Sequence, residues 1–567
     1  MESSGAAQFT PACVVETDGD GSCGPLDHGA LDDAGLLAHQ RHGAGGVLHA
    51  RLDGGVELAP SGALAIQELF PAQGGDPLRK ALGRHSLLLE VVELVVHALG
   101  AQPGAGLFHS VAVGNAVDGH GGGIHAPDHA LGPGSATIPP RMHTRFDSLD
   151  GWLAHCERLH PRNIDMGLER VRAVAQRLGL HFSCPVITVA GTNGKGSVCA
   201  MLSTILHAAG YRVGTFTSPH LLAYNERVAI DLKPASDAQL AAGFAAVEAG
   251  RGDTRLTYFE FSTLAAMHTF ISAQVDVIVL EVGLGGRLDA TNAFDPSCAV
   301  LTSVDLDHQD WLGGTREAIG REKAGIFRAA TPAICADPRP PRAVIEHAEQ
   351  IGARLLCLGQ DFGFAKQEDS PQWNFWLGDT RRSALPIPAL RGGYQLANAS
   401  AALAALETLR DALPVGMGDI RRGLLEVEWP GRFQVLPGRP VTVLDVAHNP
   451  QAARALATNT LSLGFAEQRY AVFGMLGDKD ADSVIEVMRE HIDTWLLPPL
   501  DSPRALSPAA LAEKLAAHGA RDVRQCDSLD QAWRLATSLA GENDRITVFG
   551  SFYTVAGVMQ ARLAARQ

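Results

Sequence analysis

The 567-residue chain is long enough for two or three hydrophobic cores. Its formal charge of −15 argues against nucleic acid as the main partner, because phosphate binding wants a basic face. No run of about 18 apolar residues predicts a membrane span. The nine scattered cysteines have neither CxxC pairing nor finger spacing and read as reduced thiols in a cytoplasmic protein.

Residues 1–141 differ from the rest. They hold no Trp or Tyr, ten of the 22 His and a single Lys, and six basic against fifteen acidic residues supply −9 of the −15. This composition resembles a disordered segment more than a domain. The histidines lack the paired spacing of a metal site, and no signal-peptide pattern opens the chain. We expect the folded protein to begin at Met142, with 1–141 a low-order or non-native extension.

From Pro185 onward, short apolar runs alternate with helical patterns. Val186–Val189 is a β-branched run that ends in a glycine-rich turn. Ser197–Ala209 then carries apolar residues at helical spacing and closes at Gly210. Further strands are predicted at 212–217, 275–282 and 298–304. Strands apolar on both faces and separated by helices predict an α/β fold with a parallel sheet covered on both sides. The polar stretch 367–388 reads as a loop or short hairpin. Pro430-Gly431 marks a boundary, and a second α/β series follows, with strands at 441–446, 470–474, 494–497 and 545–550. The predicted domains are 142–430 and 431–567.

Between strand and helix, Ala190-Gly191-Thr192-Asn193-Gly194-Lys195-Gly196-Ser197 is a phosphate-binding loop. Its glycines free backbone N–H groups for phosphate oxygens, and the helix N-terminus adds partial positive charge. Gly194, Lys195, Gly196 and Ser197 are the candidate contacts. The spacing is shorter than in the common P-loop, and Gly196 separates the Lys from the Ser, which disfavours GTPases and motor ATPases. Glu281 ends an apolar strand, where burial is costly unless a cation neutralises it. Arg287, Asp289 and Asn292 follow within one turn-rich loop. His308 reads equally as a general base, a packing residue or a metal ligand. The segment around Lys323 looks like the charged face of a helix, and Asp445 and His448 look like a capped strand end. Phe259 beside Glu260 suits a flat heterocycle bearing amino groups, or else helix packing.

The loop Gly-Thr-Asn-Gly-Lys-Gly-Ser, with Gly283–Asn292 (GLGGRLDATN), resembles the Mur ligase superfamily. Within it the match is to bacterial bifunctional dihydrofolate synthase/folylpolyglutamate synthases, from about Ile164 to near the C-terminus. The resemblance implies a Mur-ligase-like P-loop ATPase domain followed by a smaller Rossmann-like domain. It implies ATP as co-substrate and Mg²⁺ held by Ser218, Glu281 and His308, with a monovalent cation as a further possibility. Lys323 would be carbamylated, and Lys195, Lys323, His308 and Arg432 would be catalytic. Asn398, Arg432, Asp445 and His448 would complete the ATP site, Asp445 accepting from ribose hydroxyls, with Ser551 in the same cleft. Asp165, Met166, Gly167, Leu168, Phe259, Glu260, Arg287, Asp289 and Asn292 would surround the pterin substrate. The implied partners are ATP, L-glutamate, dihydropteroate and reduced folates, acting on a monomer without nucleic acid or membrane. Folylpolyglutamate synthase activity alone, or a nucleotide-binding switch without ligase chemistry, are the rival readings. Asp165–Arg170 leans against the first, and the set Glu281, His308 and Lys323 against the second.

Overall fold

The computed structural model describes residues 146, 148–162, 164–367 and 370–565, together with two short strands near the N-terminus. Those strands, β1 (Leu36–His39) and β2 (His49–Leu52), pair antiparallel. The rest of the expected 1–141 extension lies outside the described residues.

Residues 135–567 form one compact unit. It opens with α1 (Leu149–Leu159), whose N-cap Ser148 accepts from Gly151 N, and α2 (Glu169–Arg177). There follow β3 (Val186–Ala190), α3 (Lys195–Ala208), β4 (Val213–Phe216), β5 (Val228–Ile230) and β6 (Lys233–Pro234). Next come α4 (Asp237–Arg251), α5 (Tyr258–Ala273), β7 (Val277–Glu281), β8 (Cys298–Leu301), α6 (Gln309–Leu312) and α7 (Arg316–Ala324). The series ends with β9 (Pro332–Cys335), α8 (Arg342–Ile351) and β10 (Arg354–Cys357). These strands make an eight-stranded sheet ordered β10-β9-β8-β3-β7-β4-β5-β6, in which β5 alone runs against the others, pairing antiparallel with both β4 and β6. β3, β7 and β8 are buried along their whole lengths, as strands covered on both faces must be.

The 367–388 excursion is a hairpin of β12 (Gln372–Leu377) and β13 (Thr380–Pro386), extended by β11 (Phe362–Lys366) into a three-stranded antiparallel sheet. Its Phe362, Trp373 and Phe375 pack into the same core as α3, α9 (Gln395–Thr408) and α10 (Met417–Glu426). That core covers one face of the large sheet, while α1, α2, α4 and α5, with α7 and α8 over β8 and β9, cover the other.

A second sheet follows, ordered β14 (Gln434–Leu436), β15 (Val441–Leu444), β19 (Arg545–Phe549), β16 (Arg469–Phe473), β17 (Thr494–Leu497) and β18 (Asp522–Gln525). Only β14 runs antiparallel. α11 (Pro450–Leu461), α12 (Ala481–Met488) and α13 (Pro508–Ala517) cover one face, and α14 (Leu529–Leu539) and α15 (Phe552–Ala564) the other. The α/β class and the mainly parallel sheets are as expected from the sequence. Among the described residues no helix is long and apolar enough to cross a membrane.

Candidate active site

The glycine-rich loop leaves β3 at the carboxyl edge of the large sheet and enters α3 at Lys195. It is held from beneath by the segment after β8. Thr192 Oγ1 donates to Asp305 O (3.1 Å) and accepts from Asp305 N (3.0 Å), while Thr302 Oγ1 donates to Asn193 O (2.6 Å). Gly194 has φ +89°, and a Cβ there would lie 2.6 Å from Asn398 Oδ1. A side chain is therefore excluded twice, by backbone conformation and by its neighbour. Gly194→Ala is expected to weaken nucleotide binding about tenfold, from the left-handed penalty alone; titration with a non-hydrolysable ATP analogue measures it.

Lys195 Nζ folds back onto two loop carbonyls, Gly191 O (3.0 Å) and Thr192 O (3.2 Å). Burial pushes its pKa down, opposed by Glu281 and reinforced by Arg432. Ser197 and Asn398 lie beneath the loop rather than in the cleft. Gln395 joins them, donating to Ser197 Oγ (3.3 Å) and accepting from Asn398 Nδ2 (2.9 Å).

The loop opens on a cleft of about 710 Å³ whose walls include Ser218, Glu281, His308, Lys323, Arg432 and His448. Glu281 is 3% exposed, and its carboxylate accepts from Ser218 N at 3.2 Å. Burial pushes its pKa up, while Lys195 and Arg432 pull it down. A buried carboxylate with one backbone donor, beside a serine hydroxyl and a histidine, fits a divalent cation that completes its shell with water and phosphate oxygens. Among the described residues no three His, Cys, Asp or Glu side chains converge as a full cage, so such a cation would depend on those further oxygens. His308 has a left-handed φ of 50° and lies 3.1 Å from Lys479 Nζ. Burial lowers its pKa to about 4, which leaves the ring neutral at pH 7 with a lone pair to offer. Lys323 is fully enclosed. Its Nζ donates to Gly191 O at 3.0 Å, and burial, then Lys195, lowers its pKa to about 7.

The second sheet contributes Arg432, whose guanidinium stacks over Phe552 at 5.3 Å. Asp445 is engaged by the main chain around it, as a capped strand end would be. Both its oxygens accept backbone N–H groups, Oδ2 from Phe433 (2.9 Å) and Oδ1 from Ala447 (2.8 Å). Asp445 is 6% exposed. It fixes the backbone next to both Arg432 and His448, and Phe433 there has a positive φ of 43°. His448 Nδ1 lies 2.8 Å from Val446 O, so that nitrogen carries the proton and Nε2 faces Asp307 at 3.8 Å. Ser551 caps α15 through Thr554 N, and its neighbour Phe552 lines the cleft instead.

On the opposite wall the two aromatic and acidic segments meet. Arg170 donates to both Glu260 oxygens (3.1 and 3.3 Å) and pairs with Asp165 (3.0 Å). Glu260 also caps α5 through Thr257 N (2.7 Å), and Leu168 is buried. Of this group, Phe259 packs over Gly283 and Met166 reaches Gly285, both of which line the cleft; Gly167 abuts Glu169. Arg287, Asp289 and Asn292 are engaged within the protein. Asp289 Oδ1 accepts from Thr291 N (3.0 Å) and Oδ2 from Leu284 N (2.9 Å). Asn292 Nδ2 donates to Arg287 O (2.9 Å) and Gly325 O (3.0 Å), and Arg287 pairs with Glu322 (2.9 Å). These side chains clamp the Gly283–Gly286 loop onto the end of α7. There a Cβ at Gly286 would lie 2.8 Å from Lys323 O, and one at Gly325 2.4 Å from Arg287 Cβ. The clamp positions Lys323.

Sequence reasoning missed Lys479, which pairs with Asp307 at 2.7 Å, and Phe552 beneath Arg432. Lys479 follows β16 in a Gly-Asp-Lys-Asp turn, at the carboxyl edge where α/β sheets bind ligands; that placement was the available signal.

Residues 189–406 match the Mur ligase middle domain and residues 431–552 the Mur ligase glutamate ligase domain. A dihydrofolate synthase/folylpolyglutamate synthase of Escherichia coli is 44% identical over 419 residues, 74% of this chain and 96% of that one. Its counterpart in Haemophilus influenzae is 41% identical over 425 residues, 71% of this chain and 95% of the relative. An Escherichia coli structure in complex with DHPP and ADP superposes with a TM-score of 0.71 at 43% identity, covering 74% of this chain and 99% of that one. A bifunctional folylpolyglutamate synthase/dihydrofolate synthase solved with Mn, AMPPNP and L-glutamate gives 0.68 at 45%, covering 73% and 98%. With near-complete coverage of relatives at this identity, the chain belongs to the dihydrofolate synthase/folylpolyglutamate synthase family of Mur ligases.

Proposed function

We infer that this chain is an ATP-dependent ligase that joins L-glutamate to dihydropteroate, forming dihydrofolate, and to tetrahydrofolate, forming polyglutamates. The observation that carries the chemistry is the convergence of Lys195, Glu281, Lys323 and Arg432 on one cleft at the mouth of the phosphate loop. The acceptor carboxylate attacks the γ-phosphorus of ATP, giving an acyl phosphate and ADP. Glutamate's amine then attacks the acyl carbon, forming the amide and releasing phosphate. Lys195 leaves its carbonyl partners to follow the phosphates, and Arg432, held by Phe552 and by the Asp445-braced backbone, offsets charge on the transferring group. A divalent cation held by Ser218, Glu281 and His308 would neutralise phosphate charge when bound.

Lys323 enters this reading as a carbamate. Its lowered pKa supplies the neutral amine that adds to CO₂, and Lys195 and Lys479 stand close enough to stabilise the anion. Glutamate is assigned to the adjoining cleft of about 1110 Å³ between the Asp305–Trp311 loop and the Asp478–Ser483 turn. Lys479 and Arg454 are the cations there for a dicarboxylate. The seven described cysteines are free thiols, which accords with a reducing compartment.

The test is ADP release by the full chain given dihydropteroate or tetrahydrofolate, with and without glutamate. Glutamate-dependent turnover with both acceptors is expected. Turnover with tetrahydrofolate alone restricts the chain to the second activity, and none with either acceptor overturns the assignment.

A further inference from the structure

The two sheets are joined at the tip of the phosphate loop by side-chain amides. Asn193 Nδ2 donates to Asn449 Oδ1 (3.1 Å) and to Gln451 Oε1 (2.5 Å), and Asn193 Oδ1 accepts from Asn449 Nδ2 (3.1 Å). The main chain of Asn193 is fixed, with its N donating to Ser303 Oγ (3.1 Å) and its O accepting from Thr302 Oγ1 (2.6 Å). A rigid loop therefore presents this amide, not a mobile arm.

On the far side, Asn449 is already engaged twice. Its Oδ1 caps α11 through Ala452 N (2.9 Å), and its Nδ2 reaches Asp307 Oδ2 (3.3 Å). Gln451 has no such second duty: among the described residues its side chain hydrogen-bonds Asn193 alone. It lines neither cleft, and it sits half-buried in the first turn of α11. Arg432 and His448 lie in the same half of the molecule as Gln451, Arg432 two residues before β14 and His448 four residues after β15. Anything that fixes the start of α11 against the phosphate loop therefore also fixes their approach to the phosphates.

We propose that Gln451 is a positioning residue, forming with Asn193 a clasp that registers Arg432 and His448 over the phosphate loop during phosphoryl transfer. This deepens the ligase reading above and rests on it. The clasp acts on the relative placement of the two sheets. The nucleotide contacts of the loop itself, built from Gly191–Ser197 and the Thr302–Asp305 segment, do not involve Gln451. Loss of the clasp should therefore slow turnover and leave nucleotide affinity alone.

Gln451→Met keeps the length of the side chain and removes the acceptor. Losing one hydrogen bond of ordinary net strength predicts a kcat for glutamate-dependent ADP release about three- to tenfold lower, with affinity for a non-hydrolysable ATP analogue unchanged. In a cycle with Asn193→Ala, the double variant is no slower than Asn193→Ala alone. Gln451→Asn, which withdraws the acceptor by one methylene, shows the same loss and guards against a folding defect peculiar to methionine. Unchanged kcat in both variants, a matching loss of nucleotide affinity, or additivity in the cycle would each overturn the clasp. X-ray scattering of the full chain with the analogue gives a readout independent of turnover: the nucleotide-bound wild type is more compact than Gln451→Met. Wild-type protein with no glutamate-dependent turnover would sink the ligase reading, while equal compactness of the two proteins would sink the clasp.

Discussion

Lys195→Met is expected to lower kcat for glutamate-dependent ADP release by about 10³-fold, the scale seen when a preorganised charge is removed from a transition state. Lys195 is the cation at the head of α3, and its present partners are the loop's own carbonyls, Gly191 O and Thr192 O. Those are neutral acceptors, and exchanging them for phosphate oxygens gains a charge-assisted bond in a site shielded from water. The substitution also leaves buried Glu281 without its foremost neutralising neighbour. The loss should appear in single-turnover phosphoryl transfer as well as in steady-state rates, since product release is not where this charge acts. Near-normal turnover in the variant would remove Lys195 from the mechanism.

Lys323→Ala is expected to lower kcat by about 10²-fold, with part of the activity restored by a short carboxylic acid in the buffer that stands in for the carbamate. The reaction is amine plus CO₂ giving carbamate and a proton, so it needs the neutral amine. The folded-state pKa is lowered to about 7, from 10.5, because burial, and then Lys195, disfavour the cation. The sign follows: below pH 7 the ammonium predominates and carbamate is suppressed. As pH rises through 7 at fixed dissolved CO₂, the neutral fraction and the carbamate both grow. Activity in CO₂-depleted buffer should therefore fall and recover on adding bicarbonate. ¹³C-labelled bicarbonate should give a carbamate carbon resonance in the wild type that Lys323→Ala lacks. Indifference to CO₂ together with an absent resonance would show that the free amine suffices.

The parts of this site that were legible in the sequence are those where one residue conflicts with its surroundings. Glu281 closes a strand that is otherwise entirely apolar, so burial of a carboxylate could be foreseen and is observed at 3% exposure. The glycine loop was legible because strand, turn and helix adjoin along the chain. Direction was not legible. Arg287, Asp289 and Asn292 were recognisable as one polar cluster, but their hydrogen bonds run back to the loop and to Gly325, and only the packing of α7 against that loop decides this. Lys479 lay further out of reach, because Gly-Asp-Lys-Asp by itself is an exposed turn. It becomes a buried ion pair only when the second sheet meets the Asp307 loop. The ends of the strands that were foreseen fall within three residues of their predicted places, the largest difference being at β8, which ends at Leu301 rather than 304. The short strands β5, β6, β9, β10, β11, β14 and β18 were missed, the last because Asp522–Gln525 is half-exposed and carries no apolar run.

The close approach of the Gly286–Arg287 stretch to Glu322–Gly325 also limits how the protein can change over evolutionary time. A methyl group at Gly286 would meet the Glu322 and Lys323 carbonyls, and one at Gly325 the Cα and Cβ of Arg287, so neither position tolerates it unless the opposing stretch retreats. A retreat would carry the Lys323 carbonyl and its amine away from the phosphate loop. The rim of the cleft can therefore drift more readily at Met166 or Phe259, which meet Gly285 and Gly283 through side chains rather than main chain. It cannot drift at the seam behind them. Variation in acceptor preference among descendants of this chain is to be sought at the rim, and drug resistance through the seam would come at the expense of the enzyme itself.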